Sequence, residues 1–109
     1  MPHLTKTDQK HIQKIKDQLV AKYGELIHQL ICFGSRVSKQ VQDTDFDVMI
    51  VTSEKIDWRK EDEISDVFFY YGIDNDILFH CIFYSQDEYY VKYSFMPLIT
   101  EVKTTGLVI

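Results

Sequence analysis

Apolar positions along this chain switch between two periods, and each switch marks a change of element. Ile12, Ile15, Leu19 and Tyr23 recur at helical spacing and place one face of a helix over Thr7 to Tyr23. Thr5 or Thr7 can cap its start and Gly24 its end. Ile27-His28-Gln29-Leu30-Ile31-Cys32-Phe33 is a mostly apolar run that stops at Gly34-Ser35, which predicts a buried strand. A short helix is expected over Ser35 to Val41, a turn at Gln42-Asp43-Thr44, and a second strand over Asp45-Phe46-Asp47-Val48-Met49-Ile50-Val51. Thr52 to Asp57 is polar and reads as a loop. Ile64, Val67, Phe68 and Tyr71 then predict a helix over Trp58 to Tyr71, with Asp57 as N-cap and Gly72 as stop. Ile77 to Tyr84 is rich in branched and aromatic residues and predicts a third strand. Ser85 and Glu88 form the S-x-x-E capping box of a further helix. Pro97 opens a last helical stretch through Lys103, which Gly106 closes. Helix and strand therefore alternate, which predicts an α/β (α+β) fold, a sheet covered by helices.

Composition narrows the options. A chain of 109 residues is the size of one domain, taken here as residues 1–109, and has no room for a separate acceptor-binding domain. The chain is 45% hydrophobic and 27% charged, as expected for a globular protein and not for a disordered one. Its net charge of −5 argues against a stable nucleic-acid binder, which needs a basic excess. No apolar run is long enough to span a membrane, and the first residues lack the apolar core of a signal peptide. Cys32 and Cys81 lie within apolar runs and are expected to be buried thiols of a cytoplasmic protein.

The chemistry-bearing stretch is Phe33-Gly34-Ser35-Arg36 followed by Asp45-Phe46-Asp47. On a strand, residues i and i+2 share a face, so Asp45 and Asp47 project together while Phe46, Val48 and Ile50 point into a core. Two adjacent carboxylates repel unless a cation neutralises them. Mg²⁺ suits that role, since it is held by one or two carboxylates together with substrate phosphates. Asp-x-Asp alone says little, because it also occurs at 43/45 and 74/76. The preceding turn adds weight. A strand running into Gly34-Ser35 can expose backbone N–H groups to a phosphate, Ser35 adds a hydroxyl, and Arg36 supplies a fork of donors. Neither a Walker A sequence nor G-x-G-x-x-G is present.

Gly34-Ser35, nine residues, then Asp45-x-Asp47 resembles the signature of the DNA polymerase β-type nucleotidyltransferases, and most of all their minimal nucleotidyltransferase (MNT) members. The likeness extends over Lys22-Tyr23-Gly24, the Leu30-to-Arg36 strand and turn, Tyr84-Ser85-Gln86-Asp87-Glu88-Tyr89 and the segment from Glu101 to Ile109. Where many members carry a Gly shortly after Gly-Ser, this chain has Ser38-Lys39-Gln40, and its spacer is one residue shorter than the commonest form. The resemblance implies a small mixed sheet with helices packed mainly on one face, and transfer of AMP from ATP to a hydroxyl, with Mg²⁺ as cofactor. It implies that Asp45 and Asp47 are catalytic and metal-binding, and that Gly34, Ser35 and Arg36 bind the nucleotide. It also implies a third carboxylate from the strand after the third helix, for which Asp76 is the candidate and Asp74 the alternative.

The same likeness implies a partner. MNT proteins commonly pair with a small helical HEPN protein as antitoxin and toxin, the MNT protein transferring AMP to a tyrosine of its partner. The alternative expectation is a non-catalytic antitoxin or binding subunit of the same fold that acts by occlusion. A homo-oligomer is left open. Phe69, Tyr70 and the segment from Tyr89 to Phe95 are the apolar residues least needed for a core, and so the expected contact. His80 and His28 are read as strand residues without metal spacing, not as ligands.

Overall fold

The computed structural model describes residues 4–38 and 45–109. Helix α1 spans Lys6–Tyr23 and is capped by Thr5, whose hydroxyl accepts the Asp8 N–H at 3.1 Å. Its stripe of Ile12, Ile15 and Leu19 is fully buried, and each such side chain contributes roughly 1.5–3 kcal/mol on leaving water. A 3₁₀ turn, Gly24–Leu26, leads into strand β1, Ile27–Phe33. Helix α2, Ser35–Ser38, follows Gly34 directly. The turn expected at residues 42–44 and the end of the short helix expected to reach Val41 lie outside the described residues. Strand β2 is Phe46–Thr52 and helix α3 is Trp58–Asn75, with the Asp57 carboxylate accepting the Lys60 N–H at 2.9 Å. Strand β3 is Phe79–Ser85, helix α4 is Pro97–Thr105 and a short strand β4 is Leu107–Val108.

Between β3 and α4 the chain forms a π-helical turn, Glu88–Lys92. The capping box that opens this stretch is made in both directions: Ser85 N–H donates to Glu88 Oε1 at 2.9 Å, and Glu88 N–H donates to Ser85 Oγ at 3.2 Å. Lys55 Nζ holds the other carboxylate oxygen of Glu88 at 2.9 Å.

The sheet has the order β3-β2-β1-β4. β1 runs antiparallel to both β2 and β4, whereas β2 and β3 are parallel and joined through α3. The fold is thus a mixed α+β sheet, as the alternation of periods predicts. Side-chain alternation divides it into two cores. On one face Leu30, Cys32, Phe46, Val48 and Ile50 pack against α1 and α3. On the other, Ile31, Phe33, Met49 and Val51 pack against Tyr89 of the π-helical turn and Ile99 and Val102 of α4. The two long helices do share one face, but the opposite face is also covered, by the shorter C-terminal helical segments. β1 and β2 are accordingly buried on both sides.

Most bounds fall within two residues of the sequence-based ones, but the end of α3 and the start of β3 shift together for a local reason. α3 does not stop at Gly72 but runs to Asn75. Gly72 is buried, and a side chain there would overlap the Ile77 carbonyl, so this glycine serves close packing. The helix ends instead at Asp76, which takes the left-handed conformation (φ 57°, ψ 46°) while Ile77 N–H bonds back to the Gly72 carbonyl at 2.9 Å. β3 therefore starts at Phe79 and not at Ile77. β4 is too short to show a period, and it exists because the chain after α4 pairs with Ile31 and Cys32. Both thiols are free; burial pushes Cys81 up to about 12 and Cys32 higher still, burial again leading and nearby Asp8 adding to it. Among the described residues no helix is long and apolar enough to cross a membrane.

Candidate functional site

The start of β2 lies beside the end of β1 and the start of β3. Phe33 pairs with Asp47 across the antiparallel ladder, and Asp47 pairs with His80 across the parallel one. Gly34 follows Phe33 immediately and has φ 81°, a left-handed conformation that favours glycine. Its α-carbon is pressed against the Asp47 carboxylate: a β-carbon at position 34 would overlap Asp47 Oδ2. The turn and the carboxylate, thirteen residues apart, are therefore in direct contact.

Alternation along β2 places Asp47 on the face that carries Met49 and Val51, opposite Phe46, Val48 and Ile50, while Asp45, expected to open the strand, lies one residue before it. Asp45 is exposed and Asp47 half-buried. The ladder continues to the mouth of the strand, where Phe46 N–H donates to the Leu78 carbonyl at 2.8 Å. His80 stands on the same face as Asp47, and its Nδ1 lies 3.1 Å from Asp47 Oδ1 with the imidazole largely in solvent. Gly34, Ser35, Asp45, Asp47 and His80 thus lie together at one end of the sheet.

Compared with family models, with curated proteins and with solved structures, the chain matches none. The geometry of the site must therefore carry the functional argument.

The other residues singled out in the sequence fall elsewhere. Arg36 lies inside the fold. Its Nη1 donates to Asp8 Oδ1 at 2.9 Å, both side chains are at least nine-tenths buried, and the guanidinium sits over the Phe46 ring at 5.1 Å. This pair ties α2 to α1. Asp8 Oδ2 is buried with no hydrogen-bond partner among the described residues. Asp76 and Asp74 are exposed at the end of α3, where Asp76 serves as the left-handed cap. Neither lies on β3, because α3 runs on past Gly72 and takes up both positions. Among the described residues, no three His, Cys, Asp or Glu side chains converge closely enough to hold a metal ion.

The sequence reading placed His80 on a strand, as it is, but did not bring it to the site. The signal that finds it is the parallel register of β2 with β3. Single-strand periodicity cannot supply that register, since it says which face a residue takes but not what stands beside it.

The donor set fits a divalent cation bound together with a ligand. Asp47, with the exposed Asp45 two residues before it, offers hard oxygens, and an ion such as Mg²⁺ takes only one or two carboxylates and leaves its other positions to water and phosphate. It does not form a closed, all-protein cage.

The expected partner surface divides into two. Phe69 and Tyr70 are more than half exposed on α3, with Ile73 beside them. Tyr89 is buried in the second core, while Tyr90, Val91 and Phe95 are exposed around the π-helical turn. α3 and this turn cover opposite faces of the sheet.

Proposed function

We propose that this chain is a nucleotidyltransferase-type domain of the MNT kind, which binds ATP with a divalent cation at the Gly34–Asp47 edge and passes AMP to a hydroxyl of a partner protein. The observation that carries the reading is the contact between Gly34 and the Asp47 carboxylate. It brings a tight, side-chain-free turn against a carboxylate at one open end of the sheet, with Asp45 just before the strand.

In this reading Gly34 lets the phosphates approach the backbone, and Ser35 offers its hydroxyl and N–H to them. Asp45 and Asp47 hold the cation, which when bound neutralises the triphosphate and polarises the phosphorus under attack. The acceptor oxygen forms a bond to the α-phosphorus, the bond from that phosphorus to the leaving pyrophosphate oxygen breaks, and the hydroxyl proton passes to a nearby base or to water. The chain's own part is chiefly positioning and charge. The acceptor comes on a second protein, for which a HEPN-type helical partner is the proposal and the exposed Phe69–Tyr70–Ile73 face of α3 the docking surface. The protein is then the antitoxin of the pair.

A second reading is favoured by one observation. Asp76 and Asp74 sit on the helix end and not beside Asp47. A domain without a third carboxylate at the site can bind nucleotide and occlude a partner without transferring AMP. The two readings separate on incubation with α-labelled ATP, Mg²⁺ or Mn²⁺, and the product of the adjacent gene. Label on the partner that disappears with Asp47→Asn supports transfer. A stable complex with no label under either cation supports occlusion.

A further inference from the structure

We propose that His80 is a nitrogen donor to the divalent cation of this site, and that the site therefore favours Mn²⁺ over Mg²⁺. The inference rests on the nucleotide-site reading above and specifies which side chain completes it.

Position is the first argument. The parallel ladder sets Asp47 and His80 side by side, on adjacent strands and on the same face of the sheet. Both strands are fixed by burial: Phe46 and Val48 flank Asp47 in the first core, and Phe79 and Cys81 pack against that core on either side of His80. The pair is thus presented by rigid backbone. The second argument is distance. Two donors at right angles, each about 2.1 Å from an octahedral ion, stand about 3.0 Å apart. His80 Nδ1 and Asp47 Oδ1 are 3.1 Å apart, so one ion can replace the hydrogen bond between them with little movement.

Exposure is the third argument. The imidazole is 61% exposed and the Asp47 side chain 25%. A histidine this open is not held by core packing, and an exposed hydrogen bond of this kind adds little to stability. The fourth is the count of donors. Asp74 and Asp76 are taken up by the end of α3, so His80 is the side chain that the sheet places beside Asp47. Two protein donors, with Asp45 close by in sequence and exposed, leave the remaining positions to phosphate oxygens and water.

The choice of ion follows from the nitrogen. Imidazole suits transition metals, whereas Mg²⁺ is held by oxygen donors and gives up its water reluctantly. Mn²⁺ accepts carboxylate, phosphate and imidazole alike.

The test uses Mn²⁺ and Mg²⁺ with a non-hydrolysable methylene analogue of ATP on the parent protein, His80→Asp, His80→Ala and Asp47→Asn. Each variant is first checked for the parent's circular dichroism. Competition titration gives the ratio of Mn²⁺ to Mg²⁺ affinity, and electron spin-echo spectroscopy reads nitrogen bound to Mn²⁺. The parent is expected to show a bound-nitrogen signal that changes when the histidines are labelled with ¹⁵N and vanishes in both His80 variants. His80→Asp, which replaces the nitrogen donor by an oxygen donor, should lower the Mn²⁺-to-Mg²⁺ affinity ratio, by about tenfold. Binding that depends on Asp47 but shows no histidine nitrogen, with an unchanged metal ratio in His80→Asp, would overturn the assignment and leave the nucleotide site standing. No binding of the analogue with either cation would remove the site itself, and this inference with it.

Discussion

Two acid–base pairs flank the Gly34 turn, and they differ in nearly everything except charge. Asp8–Arg36 lies beneath the turn, with both side chains at least nine-tenths buried and the guanidinium stacked over Phe46. Asp47–His80 lies at the open edge, with its imidazole in solvent. A buried pair that loses one partner leaves an uncompensated charge in a poor solvent, which is strongly destabilising. An exposed pair loses little, because water replaces what is removed. The buried pair is therefore bound to the fold, and the open pair is free to bind something else. A charged motif in the sequence does not say which kind it is. Arg36 looked like a phosphate ligand because it follows Gly34-Ser35, yet its depth makes it a tie between helices.

The largest effect should come from breaking the buried pair. Arg36→Ala is expected to lose about 3–5 kcal/mol of stability in urea unfolding. The double replacement Asp8→Leu with Arg36→Met, which removes both charges, should recover most of that loss. If it folds and still binds ATP, Arg36 is structural. Folding with no ATP binding would return Arg36 to the site.

Next in size is Gly34→Ala. It forces a side chain into a left-handed conformation and into the Asp47 carboxylate. A cost of about 1–3 kcal/mol is expected, with loss of nucleotide binding. Parent-like stability and binding would show that the turn and Asp47 do not work together.

A smaller effect belongs to the far end of the parallel strands. Ser85→Ala should cost about 1 kcal/mol by removing half of the capping box. Glu88 adds a pH dependence there. Burial pushes its carboxyl up, but the Ser85 N–H and the Lys55 ammonium outweigh that and hold it below the ordinary range. A carboxyl lowered in the folded state contributes stability that is complete above its unfolded value of about 4.3 and is lost as pH falls through the folded value. The parent should therefore lose stability below about pH 4.3 more steeply than Glu88→Gln. Parallel acid unfolding of the two would contradict the capping role.

How far the sequence could be read follows the same division. β1 was legible to the residue, since an apolar run ending at Gly34-Ser35 has few alternatives. Thr5, Asp57 and the Ser85–Glu88 box were legible because capping chemistry is local. The inward face of Phe46, Val48 and Ile50 followed from strand period. What failed was long-range. Gly72 read as a helix stop because a glycine's need for close packing against Ile77 shows only in the fold. That error moved the start of β3 and put Asp76 at a strand mouth, while the place of His80 beside Asp47 rests on a strand register that periodicity does not show. The burial of Arg36 depends on Asp8, twenty-eight residues away on another helix.

The smallest expected change in stability accompanies the largest expected change in binding, and both are read on Asp47→Asn. Calorimetric titration of ATP in the presence of Mn²⁺, paired with urea unfolding of the same samples, tests the open pair as a nucleotide and cation site. Stability within about 0.5 kcal/mol of the parent, with ATP binding abolished, is the predicted result. Unaltered ATP affinity in a fully folded Asp47→Asn protein would contradict it.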